Sequence, residues 1–104
     1  MKKTVFIKIH MMDNKQFLSC CDSDLIGKKF VEGKICLRIV ESYYKGDELT
    51  LETATELIRE KINIMDSVHI IGHKINNMLH EKQIIDKRGA KKVQHVPHLM
   101  LIKM

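Results

Sequence analysis

The chain has 104 residues, with 18 Lys or Arg, 13 Asp or Glu and a formal net charge of +5. That length accommodates one globular domain spanning 1–104, and 44% hydrophobic with 30% charged residues excludes a disordered tail, a collagen-like chain and a disulfide scaffold. Uncharged apolar runs fall far short of the roughly 20 residues that cross a bilayer, and Lys8 interrupts the apolar start Val5-Phe6-Ile7 before a signal-peptide core can form.

The three cysteines, Cys20, Cys21 and Cys36, contain no Cys-x-x-Cys pair, so zinc-ribbon and thioredoxin spacings are both missing. A disulfide between the neighbours Cys20 and Cys21 would be strained. Reduced thiols in a cytoplasmic protein are therefore expected, with no membrane association, no cofactor and no metal.

In chain order, Thr4–His10 is rich in β-branched residues and predicts a first strand. Met11–Lys15, with Asp13-Asn14, predicts a turn, and Gln16–Cys21 its hairpin partner. Asp22 and Ser23 are N-cap candidates for a short helix over Asp24–Phe30 that closes near Gly33. Lys34–Val40 alternates in hydrophobicity except at its last residue and predicts a strand with one wet face. Tyr43–Asp47 is read as a turn. Thr50 caps the clearest helix, in which Leu51, Ala54, Leu57, Ile58 and Ile62 form the apolar stripe and Asn63–Asp66 the end. Ser67–Ile71 fits either a short strand or the first turn of the following helix, Gly72–Lys82. Ile84-Ile85 is extended, Lys87–Ala90 turns, and Val93–Val96 pairs again. Pro97, which lacks a ladder donor, opens the last strand, Leu99–Ile102. This order predicts an α+β fold: a two-layer domain in which a mixed or mostly antiparallel sheet packs against two to three helices.

Several short patterns together resemble a family of small archaeal proteins known only as a domain of unknown function (number 424). They are Cys21-Asp22, Leu25-Ile26-Gly27-Lys28-Lys29-Phe30, Tyr43-Tyr44-Lys45-Gly46-Asp47, Ile70-Ile71-Gly72 and Val96-Pro97-His98. The residues that carry the likeness are Cys21, Asp22, Gly27, Lys28, Tyr44, Gly46, Gly72, Pro97 and His98. Asp47 stands where the family pattern has Glu, and His69 where it has Asn. The resemblance implies a cytosolic archaeal protein of compact α/β fold and supplies no reaction; a link to translation or RNA is the expectation attached to it.

The strongest chemical signal is charge. Residues 82–95 carry Lys82, Lys87, Arg88, Lys91 and Lys92 against a single acid, Asp86, and so hold a net +4. Exposed cations of this kind follow a phosphate backbone, so Lys87, Arg88, Lys91 and Lys92 are the candidate contacts to RNA or a ribonucleoprotein. Lys28 and Lys29 are candidate extensions. No aromatic residue lies in the segment, so base stacking needs rings from elsewhere. The Walker spacing and Gly-x-Gly-x-x-Gly are both missing, which excludes the common nucleotide-hydrolysing loops.

An enzyme reading centres on Cys21 and Asp22 at a strand end, with His98, His10 or His95 as base. Its plainer counterpart has Cys21 in the core and Asp22 capping the helix that follows. His69 and His73 would share a helix face at i, i+4, but no Glu completes a His-Glu-x-x-His site. Tyr43 and Tyr44 offer one ring to the core and one to a protein partner or second copy. The reading that follows is a non-enzymatic binding protein. A protein–protein module is the alternative, and an enzyme the third.

Overall fold

The computed structural model describes residues 3–103. Two tight turns frame the main sheet. Strands β1 (Thr4–Met12) and β2 (Lys15–Asp22) form an antiparallel hairpin, and its turn residues Asp13 and Asn14 both have positive φ, the geometry that matches the twist of the flanking strands. Far along the chain, β7 (Lys91–Val93) and β8 (Val96–Ile102) are joined by Gln94 and His95, again both at positive φ. Here the side chain of Gln94 accepts from Val31 N, and its backbone N donates to Glu32. Those bonds hold a turn that its residue types favour less than Asp-Asn does.

The six-stranded sheet has the order β5-β1-β2-β6-β8-β7, where β5 is Asp47–Thr50 and β6 is Ser67–Ile71. β2 and β6 run parallel and every other pair is antiparallel, so the sheet is mixed. The fold class is α+β. Helix α2 (Leu51–Lys61) is capped by Thr50, whose side chain accepts from Thr53 N, and α3 (His73–Glu81) follows β6 directly. Both helices cover one face of the sheet. Leu51, Ala54, Ile58, Ile75 and Leu79 meet Val5, Ile7, Leu18, Cys20, Val68, Ile70 and Leu99 there. Each such aliphatic side chain withdrawn from water contributes roughly 1.5–3 kcal/mol.

The opposite face carries a second, two-stranded sheet in addition to the expected α+β layers. The stretch predicted as a helix over Asp24–Phe30 forms only a 3-10 turn, Ser23–Leu25, and then a strand, β3 (Lys29–Glu32). β3 pairs with β4 (Ile35–Arg38) in a separate two-stranded sheet. Tertiary burial overrides local signals here, since Phe30, Leu37 and Ile39 pack on Cys21, Ile71, Val93 and Val96. Tyr43–Asp47, predicted as a turn, divides into a one-turn helix α1 (Glu41–Tyr44) and the start of β5. A side chain at Gly46 would overlap the Ile7 carbonyl, so the close approach of the chain to β1 requires glycine there. The ambiguous Ser67–Ile71 is a strand. Pro97 lies second in β8, on the register of Lys92, and its carbonyl accepts from Gly72 N.

Candidate functional site

Strand alternation sends Leu18, Val68 and Leu99 to the helices, and their neighbours the other way. The hairpin and α1 cover only part of that second face. Phe17 and His69 stay half-buried, and Met100 and Ile102 are 52% and 64% exposed. Register sets these residues side by side: His10 opposite Phe17, Phe17 opposite Ser67, and His69 opposite Met100.

Aromatic rings run across this face in an unbroken series. His10 stacks on Tyr43 with centroids 4.1 Å apart and 13° between planes. Tyr43 meets Tyr44 edge-on at 4.8 Å, Tyr44 meets His69 at 5.8 Å, and His69 lies 4.2 Å from His98. The Tyr44 hydroxyl is 3.3 Å from His69 Nδ1, and His69 Nε2 hydrogen-bonds His98 Nε2. Of the two facing ring nitrogens one donates and the other accepts, and with the Tyr44 hydroxyl on Nδ1 both nitrogens of His69 are partnered in its neutral form.

Burial, with His98 beside it, brings His69 down to about 4. Burial, then Lys91, lowers His98. Burial, then the neighbouring Tyr43 and Cys21, pushes Tyr44 up to about 12. Near pH 7 the central rings therefore carry no charge. The sequence held one sign of this, the alternation of His69 between Val68 and Ile70. The meeting of His69 with His98 depends on a register 29 residues apart.

His69 and His73 would pair only if one helix held both; instead His69 belongs to strand β6, and His73 begins α3 beyond Gly72. Among the described residues no three His, Cys, Asp or Glu side chains are gathered to hold a metal.

The enzyme candidates do not converge. Cys21 is fully buried, and burial, then Asp22, pushes its thiol up to about 12, so it is no thiolate at neutral pH. Ile71 stands between Cys21 and His98 in the sheet register, separating them by two strand spacings, about 10 Å. Asp22 does cap a helix, but not the one expected. Its carboxylate accepts from Lys74 N at 2.9 Å and Ile75 N at 3.1 Å, closing the start of α3 more than fifty residues later. Burial raises the Asp22 carboxyl, and those two N–H groups pull it back.

The basic segment lies at the sheet edge. Lys87 and Arg88 sit on a 3-10 turn, Lys87–Gly89, and Lys91 and Lys92 on the edge strand β7. Arg88 is held in a forked contact by Asp86, with bonds of 2.8–3.2 Å. Lys91 lies beside His98, Met100 and Ile102 on the ring face, and Lys92 points to the other side of the strand. Lys28 and Lys29 are exposed, with Lys29 opposite Arg38 in the β3–β4 hairpin. The hairpin reaches the β7–β8 turn through Val31 and Glu32.

A mixed sheet with helices on one face and a half-open ring surface on the other defines a small α+β protein of the sheet-surface kind. The chain belongs to the family described as "Protein of unknown function (DUF424)", whose family model matches residues 9–104. Its fold is similar to that of an uncharacterized conserved protein from Methanopyrus kandleri, known from a crystal structure. The TM-score is 0.81 at 21% identity over 94% of this chain and 90% of that one. A comparison with curated proteins finds no match. No helix among the described residues is long and apolar enough to cross a membrane.

Proposed function

We propose that this protein is a non-enzymatic cytoplasmic module that binds single-stranded RNA, free or within a ribonucleoprotein, on the open face of its sheet. The observation that carries the reading is the junction of Lys91 with the ring face at His98. It joins a cationic edge that can follow phosphates to rings that can stack on bases, the two components of single-strand binding. Lys91 takes the phosphate next to the rings, Lys87, Arg88 and Lys92 take phosphates where the strand passes over the sheet edge, and Tyr43, 43% exposed, with His98 takes bases. Arg88 contributes least, because Asp86 already occupies its donors.

The test is fluorescence anisotropy of a labelled single-stranded RNA across a salt series. Three to four phosphate contacts give a log–log slope of roughly −2 to −3. Exchange of all four cations for Ala should abolish binding while the circular dichroism spectrum stays unchanged. Affinity indifferent to both salt and these substitutions would overturn the reading. The exposed Met100 and Ile102 favour a second reading, a protein partner or second copy on the same face, and its signature is association that survives high salt.

A further inference from the structure

The edge strand separates its two lysines. Lys91 joins the ring face, whereas Lys92 lines a concavity of about 500 Å³ between α3 and the Lys87–Gly89 turn. The α3 wall consists of His73, Asn76 and Asn77, which share one side of the helix. The opposite wall presents Lys87, Arg88 and Lys92, and no carboxylate lines the space. Lys87 Nζ donates to Asn77 Oδ1 at 3.3 Å and so bridges the two walls.

A second, independent feature lies in the helix wall. Asn76 is 1% exposed, and its Nδ2 donates to the carbonyls of Gly72 at 2.8 Å and Ile70 at 3.4 Å. Those two acceptors fix which way the amide is turned. Its Oδ1 is left without a hydrogen-bond partner. Buried acceptors are nearly always satisfied, so an orphaned one beside a cationic cavity calls for a donor from outside the chain.

We propose that this cavity binds a phosphomonoester whose body carries a hydroxyl or amino donor, the chemistry shared by sugar phosphates and nucleoside monophosphates. Lys87 and Lys92 hold the phosphate, and Asn76 Oδ1 accepts from the body. Drawing the Lys87 ammonium onto the phosphate releases its bridge to Asn77. Inorganic phosphate fills too little of the space and, as a dianion, offers a single donor. The proposal goes beyond the RNA reading, because it needs neither the ring face nor Lys91.

The test is a titration of the full chain, followed by backbone and side-chain amide resonances, with ribose 5-phosphate, adenosine monophosphate and inorganic phosphate separately. Saturable shifts at His73, Asn76, Asn77, Lys87 and Lys92 with either ester are expected, and the stronger of the two identifies the body. Lys92→Ala should weaken binding by about tenfold or more, the loss of one charge-assisted contact. Lys91→Ala should leave it unchanged while weakening single-stranded RNA, so the two readings can fail separately. No saturation at millimolar ester, an equal response to inorganic phosphate, shifts confined to the ring face, or equal losses in the two lysine variants would each overturn the proposal.

Discussion

Single side chains here differ most in what surrounds them, and the three cysteines make the clearest case. Cys20 and Cys21 are both fully buried, Cys20 toward the helices and Cys21 toward Tyr44, whereas Cys36 is exposed on the β3–β4 hairpin. Burial, then the neighbouring Cys21 and Asp22, raises the Cys20 thiol well above its ordinary value, and Cys21 stands near 12. Reactivity follows thiolate content and access, so a native protein should titrate with one fast thiol. Cys36→Ser should remove the fast phase, and the other two thiols should react only in denaturant. A fast phase persisting in Cys36→Ser would mean that Cys21 is reachable and would restore the enzyme reading. Exposure at Cys36 could be suspected from its strand's alternation. Core placement of Cys21 is the plainer reading of the sequence, but that Cys20 and Cys21 are both fully buried, on opposite faces, needs both faces of β2 covered, which no local pattern shows.

At the level of elements, the start of α3 shows how distant segments specify one another. Gly72 has φ +116, and a side chain there would run into the Asp22 carboxylate that caps the helix. Gly72→Ala should therefore cost more than the ordinary 0.5–1 kcal/mol of a glycine exchange, roughly 2 kcal/mol or above. In an Asp22→Ala background part of that cost should vanish, a coupling that urea unfolding of the two single variants and the double variant measures. Strict additivity would refute the contact. Asp22→Ala alone should cost about 1–2 kcal/mol for the lost cap. Asp22→Asn should cost less, since it retains an acceptor and removes the buried charge. The residues of the family likeness, Asp22, Gly72 and Pro97, meet at this junction through the Gly72 N–Pro97 O bond and the cap. Sequence reasoning located α2 and the β1–β2 hairpin because their signals are local, the Thr50 cap and the Asp13-Asn14 turn, but it read Val93–Val96 as a pairing segment where Gln94 and His95 form the β7–β8 turn. It missed β3 and placed the Asp22 cap on the wrong helix, because each is decided by partners dozens of residues away.

The molecule as a whole carries its excess charge at one edge and its neutral rings at the centre of the open face, which gives its stability a particular pH dependence. His69 in the folded chain sits near 4, against about 6.5 when unfolded, because burial and His98 oppose its protonation. Above pH 6.5 neither state binds the proton, and His69 has no effect on folding. As pH falls from about 6.5 toward 4, the unfolded chain gains a proton that the folded chain refuses, so stability declines through that window and levels off below it. His98, lowered by burial and Lys91, adds to the same trend. Between pH 7 and pH 4.5, unfolding in urea should show a loss on the order of 2 kcal/mol traceable to His69. His69→Gln, which keeps an amide to meet Tyr44 and His98, should flatten that part of the profile. General repulsion among the cations of a +5 chain rises with acidity in both proteins and cancels in the difference. Equal acid losses in the two would mean that His69 accepts its proton in the folded state and that the centre of the ring series is charged in acid.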